Sequence, residues 1–277
     1  MIPTVVILSF NSSDTLGATI ASVKPLSGDI LVVDSGSTDD TVKIAVREGA
    51  RVLHHPFENY GLQRNWAIDN VTGENSWQLH LDADEQLSPQ LRDEIMEISE
   101  NTAFDGFLIP RYLKFMGRLL RHNLAPTFHM RLFRTGTARC ESRHYDQHFI
   151  CSGSVKPLKN SMTDDIRMPL TEWTRRHNLW ADAEVKELLT KSSEGRIQGK
   201  LLGTPIQRKR LLRGLYNDLP LFVRPILLFF YRYIVCLGFL DGREGLVFCV
   251  LQTLWFRFLV DAKLFEASLS KTSTPVE

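Results

Sequence analysis

The sequence predicts an α/β fold: a mostly parallel central sheet flanked by helices, followed by an α-helical, apolar C-terminal extension. Over residues 1–110, short β-rich runs alternate with stretches of helical pattern. The helical stretches open on residues that cap helices. Beyond residue 195, a run with six basic residues and no acid (196–213) leads directly into two long apolar runs.

The strand runs are TVVIL (4–8), DILVVD (29–34), RVLH (51–54), WQLHL (77–81) and GFLIP (106–110), the length and composition of buried strands. Between them, Asn11 to Asp14 offer caps before TLGATIASV. Ser37 and Thr38 do so before DDTVKIAVREG, and Ser88 with Pro89 before QLRDEIMEI. From 111 to 168 the pattern loosens, with FHMRLFR (128–134) and RHYDQHFI (143–150) as short strands among loops over the sheet's carboxyl edge. Residues 169–191 space Trp173, His177, Trp180, Glu184 and Leu188 at helical intervals, which predicts a helix whose aromatics pack on the body.

A formal net charge of +1 with 23% charged residues gives no global field for nucleic acid. The four cysteines lack metal-ligand spacing and fit a reduced, cytosolic setting. The first residues lack a signal-peptide pattern. In the apolar runs 219–240 and 245–260, Arg224, Arg232 and Arg257 make a span costly. Helices lying in the membrane interface, with arginines reaching headgroups, avoid that cost. A two-helix spanning hairpin and a soluble hydrophobic or dimerisation subdomain remain the alternatives.

The stretch WQLHLDADEQL carries the chemistry. Strand alternation puts Asp82 and Asp84 on one face, where two close carboxylates repel unless a cation sits between them. Mg²⁺ or Mn²⁺ takes a few carboxylate oxygens and leaves positions for phosphates, which predicts a nucleoside diphosphate ligand beyond the strand's carboxyl end. An Asp-rich turn capping the helix after Ser88 is the structural alternative. No G-x-G-x-x-G follows the first strand, so a nicotinamide enzyme is disfavoured. Asp34 heads DSGSTDDT, where it accepts hydrogen bonds from a base or ribose, or caps a helix.

VVILSFNSSDTL, ILVVDSGSTDDT, GLQRNWAI and WQLHLDADEQL, in this order and spacing, resemble family 2 glycosyltransferases of the GT-A fold over residues 3–150. HNLWADAE and FLDGREGLVF resemble the bacterial subset that adds glucose or heptose to lipopolysaccharide or lipooligosaccharide core. The resemblance implies a GT-A catalytic domain over 1–192 and a basic, hydrophobic helical extension over 193–277. It implies that Ser9, Asn11 and Asp34 line the nucleotide pocket with Arg64 near the uracil or diphosphate. Asp82 then faces the ribose side, and Asp84, with Asp82, holds the metal. Many relatives have two successive acids where this chain has Asp34 and Ser35, which leaves the nucleotide open.

Inverting transfer also needs a base. Asp146 in RHYDQHF is the candidate, since an acid follows a similar His-containing turn in the relatives. Glu141 competes, and Asp164 with Asp165 read better as a surface loop. His144, Asp146 and His148 form a weaker zinc alternative. Arg131 and Arg134 either grip a phosphorylated acceptor or make structural salt bridges. His54, His55, His80 and Tyr60 read as packing or loop residues.

The expected activity is metal-dependent transfer of a hexose or heptose from a nucleotide-sugar, with a UDP-sugar favoured, to a lipid-linked glycan. The expected location is an anionic membrane surface at the cytoplasmic face of a bacterial inner membrane. Alternatives are a polyprenyl-phosphate glycosyltransferase, a nucleotidyltransferase and a non-catalytic membrane-associated nucleotide-sugar-binding protein.

Overall fold

A computed structural model of the chain describes residues 1–72, 76–123, 126–141, 143, 145–190 and 197–272, with side chains to residue 269. The chain divides into two compact units: Met1–Gly117 with Pro126–Ser142 and Gln147–Arg167, and Arg118–Ala125 with Arg143–Asp146 and Met168–Glu277.

In the first unit the elements are β1 (Thr4–Ser9), α1 (Leu16–Val23), β2 (Ile30–Asp34), α2 (Thr41–Arg47), β3 (Arg51–His54), α3 (Tyr60–Asp69), β4 (Trp77–Asp82), β5 (Glu85–Leu87), α4 (Pro89–Glu97) and β6 (Gly106–Phe115). β7 (Arg118–Leu120) belongs to the second unit, and the first continues with β8 (Thr127–Arg134), β9 (Ala138–Cys140), β10 (Phe149–Cys151), β11 (Val155–Pro157) and β12 (Met162–Ile166). The sheet order is β3-β2-β1-β4-β8-β6-β12-β5. β3, β2, β1 and β4 are parallel, and β8 lies antiparallel between β4 and β6.

Successive residues of β1 bury on opposite faces, as a strand covered on both sides requires. Val5 and Ile7 join Leu16, Ile20 and Val23 of α1 in one core. Val6 joins Leu31, Val33 and Ala67 in the other. The Ser88 hydroxyl accepts from the Leu91 amide at 3.1 Å, the cap expected for α4. α3, unexpected from hydropathy, is capped by Asn59.

Two expectations about the 111–168 stretch change. β6 runs on to Phe115, and the segment expected as a surface loop is β12, with Asp165 only 3% exposed. Met-Thr-Asp-Asp-Ile reads as loop because its acids are polar; they are accommodated in the sheet because Arg111 and Lys114 on β6 pair with Asp164 and Asp165.

The second unit contains α5 (Leu170–Leu189), α6 (Pro205–Asn217), α7 (Val223–Phe230), α8 (Gly242–Cys249) and α9 (Phe256–Thr272). Ala181 of α5 packs with Phe256 and Val260 of α9. Within this unit the aromatic stripe of α5 faces the C-terminal helices, so α5 groups with them and not with the sheet.

The apolar run 219–240 is not one helix. Phe222 and Leu237 take left-handed backbone (φ 66° and 57°) and interrupt it. The stretch Gly238–Leu269 is long and apolar enough to cross a membrane by length and composition. The arginines expected to snorkel outward turn inward instead. Arg224 pairs with Asp261, Arg257 with Glu184, and Arg232 donates to the Asn123 carbonyl. Burying a guanidinium is tolerable only against such acceptors.

Candidate active site

The parallel register brings three expected residues to one edge. Ser9 lies opposite Asp34, and Leu8 opposite Asp82, at the carboxyl ends of β1, β2 and β4. Ser9 Oγ donates to Asp34 Oδ1 at 3.1 Å. Asp34 Oδ2 accepts the amides of Gly36 and Ser37 at 2.9 and 2.8 Å, and Oδ1 also takes the Ser37 hydroxyl. Four donors fill a carboxylate. Asp34 therefore shapes its own turn, where Gly36 at φ 91° supplies the left-handed step, and has no lone pair left for a base or ribose. Asn11, at φ 46°, ties the first loop to the second: its amide donates to Ser37 Oγ and its Oδ1 accepts from the Thr38 amide, both at 2.8 Å.

Arg64 on α3 donates to Asp82 Oδ1 and Arg131 on β8 to Asp82 Oδ2, both at 2.7 Å. Arg131 also bonds Glu85 at 2.5 Å, Glu85 receives Arg111 at 3.2 Å, and Arg111 reaches Asp164 at 3.0 Å. The result is a continuous line of alternating charge in which Glu85 is fully buried. Burial alone would raise the Asp82 proton affinity; Arg64 and Arg131 overcome it and hold this carboxyl well below the usual range.

Asp84 is different. β4 ends at Asp82, and Ala83 and Asp84 form a turn before β5, so strand alternation does not place the two acids together. Among the described residues no hydrogen-bond donor or ion-pair partner meets the Asp84 carboxylate. Burial, then the neighbouring Asp164, Asp82 and Glu85, push it well above the ordinary carboxylate range. Burial likewise lifts Asp164, which Arg111 only partly offsets, to about 6. Four acids face three arginines, and Asp84 is the unmatched one.

That environment fits a hard divalent cation: the donors are oxygens, one negative charge is in surplus, and a metal would relieve the repulsion among them. Among the described residues no three His, Cys, Asp or Glu side chains converge as a cage, so one or two carboxylates would serve, with phosphate and water completing the shell. Asp82, expected as a second ligand, accepts one arginine bond on each oxygen, which leaves each a further lone pair.

Arg131 is 4% exposed and locked between two acids, so it is not available to grip an acceptor. Arg134 lies at the opposite end of β8, paired in register with Trp77, and stacks on that ring at 4.7 Å. Glu141 is buried, accepting the His148 amide at 2.9 Å. His148 stacks on His129. His144 lies outside the described residues. His55 stacks on Trp66 and His80 bonds Gln78, as packing residues do.

Asp146, the expected base, belongs to the second unit. It sits at φ 56°, and Lys209, Arg210 and Arg213 of α6 bond its carboxylate at 3.2, 3.1 and 2.7 Å. These three cations engage its carboxylate oxygens. Sequence reasoning missed Glu85 and Arg111 as site residues; the acid directly following Asp-Ala-Asp and the arginine ending the apolar GFLIP run were the available signals.

Residues 4–167 match the Glycosyl transferase family 2 model. An uncharacterized glycosyltransferase of Rickettsia conorii is 40% identical over 114 residues, 41% of this chain and 38% of that protein. The chain thus matches well under half the length of that relative. The lipopolysaccharide core biosynthesis glycosyltransferase LpsC of Rhizobium meliloti is 24% identical over 74% of this chain and 78% of its own. Among solved structures, S. aureus TarS in complex with UDP-GlcNAc aligns over 96% of this chain and 92% of its own, with 15% identity and a TM-score of 0.48. With a matched segment covering more than half of its length, this chain belongs to glycosyltransferase family 2.

Proposed function

We propose that the chain is a metal-dependent inverting glycosyltransferase that moves a sugar from a nucleotide-sugar, a UDP-sugar foremost, to a hydroxyl of a lipid-linked glycan. The observation that carries this is Asp84: an acid without a cationic partner at the carboxyl edge of a parallel sheet, beside acids that are all paired. A Mg²⁺ or Mn²⁺ held there would neutralise the departing diphosphate. Arg64 and Arg131 hold Asp82 in a fixed orientation beside Asp84, and the Asp34 turn with Asn11 shapes the nucleotide loop. Asp146 is the proposed base for the acceptor hydroxyl.

LpsC, by its name a lipopolysaccharide core enzyme, supports a cell-surface glycan as acceptor. The exposed face of α7 and the following turn supports a membrane. Val223, Ile226, Leu227, Phe230 and Ile234 recur at helical spacing and are each about half exposed. An apolar stripe with its arginines turned inward suits shallow insertion at the cytoplasmic face of an inner membrane.

A second reading draws on the cations of α6: an acceptor whose phosphate is itself the nucleophile, as in polyprenyl-phosphate transfer, needs no base. Asp146→Asn separates the two, abolishing transfer under the first and sparing it under the second. The primary test measures thermal protection by Mn²⁺ with UDP-, GDP- or ADP-sugars in wild type and Asp84→Asn. Protection by a nucleotide-sugar that needs Mn²⁺ and Asp84 is expected. Equal protection in both proteins would sink the metal assignment.

A further inference from the structure

The apolar run 219–240 closes on a turn of 3₁₀ helix, Gly238–Asp241, whose side chains are sorted against the usual order of an exposed turn. Leu237, Phe239 and Leu240 are each nearly half exposed, whereas the acid that follows them, Asp241, is 2% exposed. Backbone donors consume that acid. Its Oδ1 accepts the Arg121 amide at 3.0 Å, its Oδ2 accepts the His122 and Asn123 amides at 2.9 Å, and Nδ1 of the His122 ring lies 3.0 Å from Oδ1. Asn123 donates its side-chain amide to the Gly245 carbonyl at 3.1 Å. A Cβ at Gly245 would lie 2.4 Å from the Asp241 Cβ, so only glycine allows this close approach. The segment after β7 and the turn are thus fastened together through backbone groups, and the apolar side chains stay in the open. Leu237 holds left-handed backbone at φ 57°, a strain the fold accepts while leaving a large apolar side chain exposed.

The unpaired charges around this turn are positive. Arg118 donates to the Leu240 carbonyl at 3.2 Å and meets Glu244 only at 3.9 Å. Arg121 and Arg243 are exposed, and among the described residues neither guanidinium has a hydrogen bond or an ion pair. Three cations of the basic run 196–213, by contrast, bond Asp146.

We propose that Leu237, Phe239 and Leu240 form a lipid-insertion tip and that Arg118, Arg121 and Arg243 beside it bind the phosphates of anionic headgroups. A tip of this kind enters only the acyl boundary, so cations at its base stand at headgroup level. A rim of one sign matches a surface that is uniformly of the other sign. A second copy of the chain joined through the same patch would set these arginines against themselves. The inference rests on the membrane reading of the α7 stripe and deepens it: it names the cations that make binding selective for an anionic bilayer.

The test is sedimentation of the full chain with vesicles of phosphatidylcholine alone or with about 30% phosphatidylglycerol, at fixed ionic strength. Wild type is expected to bind both, the anionic vesicles more tightly. Arg121→Gln with Arg243→Gln should weaken binding to the anionic vesicles on the order of twentyfold, about fivefold for each charge near the surface, and leave binding to phosphatidylcholine unchanged. Phe239→Asp should weaken both. Lys43→Gln with Arg47→Gln removes the same net charge from exposed positions on α2 and should change either binding by less than about twofold. The substituted side chains are exposed, and a melting midpoint within about 2 °C of wild type checks that each variant is folded. Undiminished anionic preference in the arginine pair, or an equal loss in the α2 pair, overturns the headgroup assignment and leaves the membrane reading standing. Wild-type binding by Phe239→Asp overturns the tip. A wild type that binds neither vesicle overturns both readings, as does one that self-associates through the tip, seen as a concentration-dependent mass that Phe239→Asp returns to the monomer.

Discussion

Replacing Arg131 by methionine tests the charged line beneath the site. Arg131 is the only described cation that bonds both Asp82 and Glu85, at 2.7 and 2.5 Å, and its side chain is 5% exposed. In Arg131→Met the volume is kept, but Glu85, with a fully buried side chain, retains only Arg111 at 3.2 Å as its ion partner. Removing one member of a buried ion pair costs about 3–5 kcal/mol, because the remaining charge stays buried. For a unit of this size each kcal/mol moves the midpoint by roughly 2–4 °C, so a fall of about 6–20 °C is expected in thermal unfolding followed by circular dichroism. Arg131→Lys keeps the charge but not the fork that spans two carboxylates, and should fall between. A methionine variant within about 2 °C of wild type would mean that the line contributes little, since a loss that small is what surface pairs produce.

Other substitutions read other parts of the molecule. Ser88→Ala removes the α4 cap and should cost about 1 kcal/mol in denaturant titration. His177, buried beneath Trp173, is depressed to about 4, with burial outweighing its bonds to the Trp173 carbonyl and Gln252. The unfolded chain then binds the extra proton, so stability is lost as pH falls from the ordinary 6.5 through about 4. The loss amounts to on the order of 3 kcal/mol. His177→Gln should flatten that part of the pH profile, and an unchanged profile would refute the cause. Leu227→Asp with Phe230→Asp, both on exposed positions, should abolish sedimentation with anionic vesicles while leaving the melting midpoint within about 2 °C of wild type, since such surface changes lie near ±0.5 kcal/mol.

What the sequence made legible is what hydropathy and caps report. TVVIL and WQLHL are apolar because both faces of their strands are covered, and Ser88 caps the helix it precedes. β12 was illegible for the opposite reason: Asp164 and Asp165 are tolerable in a sheet only because Arg111 and Lys114, fifty residues earlier, stand beside them. The same long-range pairing misled the reading of Arg224, whose partner Asp261 lies 37 positions away, and decided between the two readings of Arg131 in favour of the salt bridge. Asp34 and Asp84 look alike in sequence. One is saturated by its own turn and Ser9, the other has no side-chain partner among the described residues, and only coordinates separate them.

Among the described residues at the carboxyl edge of the first unit's sheet, four acids meet three arginines. A fold selected for stability alone would neutralise such a cluster, since unmatched buried charge is costly. Strain kept at one place is characteristic of sites that a ligand completes. For Asp84 the consequence can be measured without turnover. Burial and three neighbouring acids raise its proton affinity, so at pH 8 the metal-free protein must either bind a proton or bear the repulsion. Asp84→Asn removes the charge and should raise the metal-free melting midpoint while abolishing the gain from Mn²⁺. If the variant instead melts lower than wild type without metal, Asp84 stabilises the fold, and the surplus that motivates a cation there does not exist.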